Sequence, residues 1–181
     1  VVLGVDYAIV LNTNAGLWGY LIGDVVRFIS LKPYRILISG RVKHFTSTFG
    51  EHVIGQEVER ALEKTLMKYP AEINEFHVAP HVSKQNRGSY HEWFVEFKKE
   101  PEDFFGFSSC LDKNMRLENT YYDDLIKGNV LRPLVVSKVC VGGFVKYMNS
   151  IGKLGGQNKV PRLLNDRSVA NKICVYVYEK K

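Results

Sequence analysis

Cysteine is scarce in this sequence and does not cluster. Cys110, Cys140 and Cys174 are the 3 present in 181 residues. An odd number at wide spacing argues against a disulfide framework and against a thiolate zinc site; it reads as free thiols in a reducing compartment, which points to the cytoplasm. Long apolar runs are missing as well. Leu134 to Val136 and Val139 to Val141 are typical, far short of the roughly 20 residues a membrane helix needs. The first ten residues include an Asp and lack both a basic start and a small-residue cleavage site, so no signal peptide is read there. No Met opens the chain, which starts directly in an extended apolar pattern; the expectation is an excised piece of a longer protein. Metal-ligand spacing is also wanting. His77 and His81 stand four apart, but Pro80 lies between them in a strand-like stretch, and no metal site is expected.

What is present is ordinary globular material: 45% hydrophobic and 24% charged residues, enough for one domain with its own core and a portion of a second. The formal charge of +6 favours polyanions in principle. The Lys and Arg residues are scattered, however, with no denser run than Lys98-Lys99 and Lys180-Lys181. Most of the excess therefore reads as a solvated surface, with part of it facing a nucleotide phosphate. The alternative from another class is a basic nucleic-acid-binding module. It would use Tyr90, Trp93 and Phe94 as stacking residues, although these are patterned like a core strand.

Pattern and turn chemistry predict short strands over 5–11, 17–22, 25–30 and 34–39, with Gly23-Asp24 as a tight turn between the second and third. The period then changes. Ile54, Val58, Leu62 and Leu66 recur every four residues opposite Glu57, Glu59, Arg60, Glu63 and Lys64, which predicts an amphipathic helix over 55–69 with Pro70 just past its end. Strands are predicted over 72–82 and 90–97, joined as a hairpin. A helix starting at Pro101-Glu102-Asp103 should run to about 118. Short helices are predicted over 121–127 and 143–150, and strands over 133–141 and 173–178. The fold class expected is α+β: a mixed sheet packed with helices, preceded by a strand-only segment. The division falls into 1–40 and 41–181, with a hinge near 40–48.

Three places carry chemistry. In Gly19 to Phe28, a Gly-Asp pair presents the Asp24 carboxylate, which suits a vicinal diol such as a ribose; by itself the pair reads equally as a turn residue. In Gly40 to Glu59, Arg41 closes a strand where it can meet ribose or phosphate, and Lys43 sits where the chain can pivot; by itself this is also an ordinary strand–loop–helix connection. In Gly155 to Arg162, glycines allow close approach to a ligand, Lys159 is a flexible point charge suited to phosphate oxygens, and Pro161 stiffens the residues after it.

Taken in order, these three places resemble the adenylate-forming superfamily of acyl-CoA ligases, luciferases and peptide synthetase adenylation domains. Gly40, Arg41, Lys43, Gly50, Glu51, Val53, Glu57, Val58 and Glu59 fill that superfamily's hinge pattern in register, and Lys159 stands a hundred residues after Glu59. A closer resemblance is to the acyl acid amido synthetases of the auxin-responsive (Gretchen Hagen three) family. It rests on Leu131 to Val136, on Gly142-Gly143-Phe144 with Met148, and on Gly156 to Arg162. Asn158 stands where the superfamily usually has Gly, and Lys153 where it has Pro, so Lys159 is matched through the amido synthetase pattern. The Gly50-Glu51-His52-Val53 hinge follows the general superfamily more than the plant hormone enzymes, which points to a bacterial member.

The resemblance implies the C-terminal portion of an ATP-dependent ligase. It would activate a carboxylic acid as acyl-AMP and transfer it to an amine, that of an amino acid. Asp24, Arg41 and Arg162 are implied as ATP or AMP contacts, Lys43 as the pivot and Lys159 as the catalytic cation. Mg and most of the nucleotide would be held by the large N-terminal domain, whose phosphate loop has no counterpart in these residues. A ligase that forms an acyl-CoA thioester after the same adenylation is the nearest alternative. No membrane or nucleic-acid partner is implied, and the chain alone is expected to be inactive.

Overall fold

The computed structural model describes residues 1–41, 45–83, 88–153, 155 and 158–178. An antiparallel sheet of three strands comes first: β1 (Asp6–Leu11), β2 (Tyr20–Leu31) and β3 (Tyr34–Arg41), in the order β1-β2-β3. Strict alternation of exposed and half-buried residues along β1 is the expected mark of a strand with one face covered. The expected break at Gly23-Asp24 does not occur, because β2 runs through it. Against β1 the register slips there: Ala8 lies opposite Val25 and Val10 opposite Leu21. Gly23, at φ +88°, supplies the left-handed residue of a bulge, so the strand bends without reversing. The reversal is made upstream, where Thr13 N–H bonds to the Leu17 carbonyl at 2.8 Å and Gly19 N–H to Asn12 Oδ1 at 2.7 Å. Several large apolar side chains here are open to solvent, among them Trp18 (83% exposed), Tyr34 (72%) and Ile38 (67%).

Beyond it, β4 (Phe45–Thr46) and β5 (Val53–Ile54) form a two-stranded ribbon leading into α1 (Gly55–Lys68). The mixed sheet is next: β6 (Glu72–His81) pairs antiparallel with β7 (Tyr90–Lys99), and β7 pairs parallel with β8 (Val135–Val139). Between β7 and β8 run α2 (Phe104–Glu118) and α3 (Thr120–Lys127). After β8 come α4 (Gly143–Ser150) and the single turn α5 (Ala170–Ile173). The architecture is thus α+β, a mixed sheet packed with helices.

Two cores explain the layering. Val58, Ala61 and Leu62 of α1, Phe107, Leu111 and Met115 of α2, and Tyr122 of α3 meet Trp93 and Val95 on one face of the sheet. Phe144, Tyr147 and Met148 of α4 and Ala170 and Ile173 of α5 meet Ala79, Phe94 and Val139 on the other. Strand β7 is therefore covered on both sides. Tyr90, Trp93 and Phe94 are all buried, so they form no stacking platform for nucleic acid. Among the described residues, no helix is long and apolar enough to cross a membrane.

Local chemistry moves some boundaries. Helix α2 begins after Pro101: Asp103 is its N-cap and accepts from Gly106 N–H at 2.8 Å. Asn119 ends α2 and caps α3, accepting from Tyr122 N–H at 2.8 Å. The strand expected over 173–178 is absent. Ile173 is drawn into the second core as part of α5, a 3-10 turn covers Cys174–Tyr176, and only Val177 bridges to Val139. The alternating Val and Tyr residues have strand propensity, but burial of Ala170 and Ile173 overrides it.

Candidate functional site

The run that carries Lys159 is fixed by its downstream end. Val160 is buried in the second core and Leu163 in the first, so the backbone between them crosses the edge of the mixed sheet. There it lies parallel to β6: Val78 N–H bonds to the Arg162 carbonyl at 2.8 Å, and Leu164 N–H to the Val78 carbonyl at 3.2 Å. His77 Nδ1 meets the Pro161 carbonyl at 2.6 Å. Burial pushes the His77 imidazole down to a pKa of about 4, against the opposing pull of that carbonyl. The ring is thus neutral at physiological pH, and Nδ1 is the donor.

Lys159 itself is exposed. It lines two clefts. One of about 280 Å³ is shared with Gly55, Glu59, Glu75 and Arg162. The other, of about 330 Å³, is shared with Glu75, Phe144, Met148 and Lys153. Among the described residues Lys159 has no carboxylate partner within ion-pair distance. Arg162 has two. Its guanidinium lies 2.8 Å from Glu59 and 3.7 Å from Glu75, and it stacks over the Phe76 ring at 5.1 Å. Of the glycine-rich stretch, Gly155 is left-handed at φ +88° and its carbonyl accepts from Asn158 Nδ2 at 3.3 Å. Gly156 and Gln157 lie outside the described residues.

Asp24 is half-buried in the first sheet, beside the β2 bulge and directly opposite Arg41 on β3 in backbone register. In backbone register Asp24 thus stands across from Arg41, while Lys159 and Arg162 line one cleft together. Lys43, the expected pivot, lies outside the described residues.

Several polar groups are not apparent from the sequence. The Gly50-Glu51 motif acts through a turn: Gly50 is left-handed at φ +92° and bonds back to the Ser47 carbonyl at 3.2 Å. That turn sends Glu51 inward, where it accepts from Phe49 N–H at 2.8 Å and meets His91 Nε2 at 2.9 Å. Asn165 then ties this segment to the lysine-bearing run, accepting from Ser47 N–H at 2.7 Å and from Thr48 Oγ1 at 3.0 Å. On the other face, Glu96 of β7 caps α4, accepting from Gly142 N–H at 2.9 Å and Phe144 N–H at 3.2 Å. Its position inside the apolar run Trp93 to Phe97 of that strand was the available signal. Among the described residues no group of three or more His, Cys, Asp and Glu side chains is placed to hold a metal ion.

Comparison with known proteins adds the family. Residues 56–168 match the GH3 family C-terminal domain, and residues 1–41 match the GH3 family central domain. No curated protein matches the chain. Among solved structures, the chain resembles the GH3.15 acyl acid amido synthetase (TM-score 0.77, 19% identity, 99% of this chain and 35% of that one). It also resembles AtGH3.15 acyl acid amido synthetase in complex with 2,4-DB (TM-score 0.72, 19% identity, 99% of this chain and 34% of that one). The chain thus spans about a third of the length of these relatives. With a family match across most of its length and a fold shared with those enzymes, the chain belongs to the GH3 family.

Proposed function

We propose that this chain is the C-terminal part of an ATP-dependent acyl acid amido synthetase. The whole enzyme activates a carboxylic acid as acyl-AMP and passes it to the amine of an amino acid. The observation that carries the reading is Lys159: an exposed ammonium at the lip of two clefts, on a run whose backbone is anchored in both cores.

Attack of a carboxylate on the α-phosphate brings two anions together and expels pyrophosphate. A preplaced cation screens their repulsion and stabilises the charge that grows at the reacting phosphorus. Lys159 suits that task because no carboxylate among the described residues neutralises it. Arg162 is assigned to the same nucleotide side. Its half-exposed guanidinium is shared with Glu59 and Glu75, so a phosphate contact competes with those pairs. Asp24, half-buried at a strand bulge, is assigned to the ribose hydroxyls, with Arg41 opposite it as a further nucleotide contact. Mg enters with ATP, held mainly by the N-terminal part of the enzyme.

Residues 1–40 are assigned to the large N-terminal domain, a placement supported by the exposed apolar side chains of the first sheet. Residues 41–181 form the mobile domain that turns about Lys43, withdrawing Lys159 so that the amine can approach. The reaction is placed in the cytoplasm.

The test is carboxylate-dependent exchange of pyrophosphate into ATP by the full-length protein, followed by product analysis with amino acids and with coenzyme A. Amide products support the reading. Thioester products without amides, or no exchange with any of a broad set of acids, refute it. The 181-residue chain alone is expected to give no exchange.

A further inference from the structure

We infer that His77 is the positioning residue for Lys159: its buried Nδ1–H, donated to the Pro161 carbonyl, fixes the backbone two residues beyond the lysine. The inference rests on the proposed role of Lys159 in adenylation.

The ladder that joins this run to β6 begins only at the Arg162 carbonyl. Pro161 has no N–H to contribute. Among the described residues, no backbone hydrogen bond ties Lys159, Val160 or Pro161 to the sheet. The imidazole takes the next carbonyl along and extends the hold by one residue toward the lysine. Its own freedom is small: the ring is fully buried and leans on Phe94, with centroids 6.2 Å apart. The other ring nitrogen, Nε2, is buried without a hydrogen-bond partner among the described residues. A histidine kept for filling space alone would be better replaced by an apolar residue, which strands no acceptor. The one bond it does make is directed at the lysine-bearing backbone.

The test is made in the full-length protein with three variants at one position. His77→Asn places an amide donor where Nδ1 was. His77→Gln places it where Nε2 was, out of reach of Pro161. His77→Phe fills the space with no donor. Adenylation is read as ATP–pyrophosphate exchange, and transfer as amide formation from chemically prepared acyl-AMP.

His77→Gln and His77→Phe should lose roughly 10–100-fold in exchange kcat, the scale of a misplacement of about 1 Å. The KM for ATP and the transfer step should stay near wild type, and His77→Asn should restore most of the exchange. If His77→Phe does not fold, the comparison of Asn with Gln carries the test. Equal exchange in those two variants, or equal loss in both half-reactions, overturns the inference. Lys159→Ala separates the two levels. Wild-type exchange in that variant overturns the lysine assignment and this inference together, whereas loss there with normal exchange in His77→Gln overturns this inference alone.

Discussion

Glu51 Oε1 and His91 Nε2 meet at 2.9 Å in an interior that leaves 0% of one side chain and 1% of the other exposed. Burial alone would raise the Glu51 carboxyl. The bond from His91, with those from its own N–H and from Phe49 N–H, outweighs burial and holds the group below its ordinary range. Thr46 Oγ1 adds a further contact at 3.2 Å. The pair ties the segment after the expected hinge to the central strand of the mixed sheet. Removing either partner strands a buried polar group, so Glu51→Ala or His91→Ala should cost about 3 kcal/mol or more in urea unfolding. The double variant should cost clearly less than the sum. Since the folded-state pKa of Glu51 lies below the unfolded one, this stabilisation is complete above the ordinary carboxylate range. It fades as pH falls through the folded-state value.

His77 gives a pH dependence of the same sign at higher pH, although here the fold favours the neutral form and not the charged one. Its pKa falls from 6.5 in the unfolded chain to about 4 in the fold. Between those values the unfolded chain binds more protons than the folded one, so stability declines as pH drops from 6.5 toward 4 and then levels off. The full effect is roughly 3 kcal/mol. His77→Asn should remove that slope. Unfolding free energies at pH 7, 5.5 and 4.5 in both proteins check it, and parallel slopes would show that another group is responsible.

Lys159→Ala should damage adenylation far more than transfer. A fixed ammonium beside developing charge contributes on the order of 3–4 kcal/mol, or 10²–10³ in rate, by analogy with the loss of one oxyanion donor. On the proposed domain rotation, the lysine has moved away by the time of transfer. The full-length variant should therefore still pass prepared acyl-AMP to an amine at close to the normal rate. Its folding should change little, because the side chain is exposed. Equal loss in both steps by a folded variant would falsify the assignment.

Asp24→Ala should raise the KM for ATP with a smaller effect on the carboxylic acid. On the proposed assignment, charge-assisted hydrogen bonds to two ribose hydroxyls would contribute roughly 1.5–3 kcal/mol each. Because Asp24 lies within β2 and not at its end, the variant should leave the strand pairing with β3 intact. Steady-state kinetics of the full-length protein provide the check. An unchanged KM for ATP would leave Asp24 a residue of the bulge and nothing more.

How far the sequence carries the fold depends on where the deciding forces are local. The spacing of Ile54, Val58, Leu62 and Leu66 sets the buried face of α1, and the helix lies one residue from where that period places it. Gly23-Asp24 misleads because a Gly-Asp pair suits a turn and a bulge equally well. Only the pairing of β2 with both neighbours decides between them. The last residues mislead because burial of Ile173, a tertiary effect, overrides the local preference of Val175 and Val177 for strand. In the candidate site, Lys159 is legible as an exposed cation in a glycine-rich run. His77, His91 and Asn165 are not, since each acts on a residue more than thirty positions away.

The short parallel bridge between Val78 and Leu163 has a consequence for solubility. It occupies part of the outer edge of β6, as Val177 occupies part of the outer edge of β8. Edge strands with free N–H and C=O groups recruit strands from other molecules. Releasing the run over 160–164 would bare such an edge, flanked by the apolar surface that Val160 and Leu163 now fill. Variants that loosen this run should accordingly first show concentration-dependent self-association, visible in light scattering while most of the secondary structure persists.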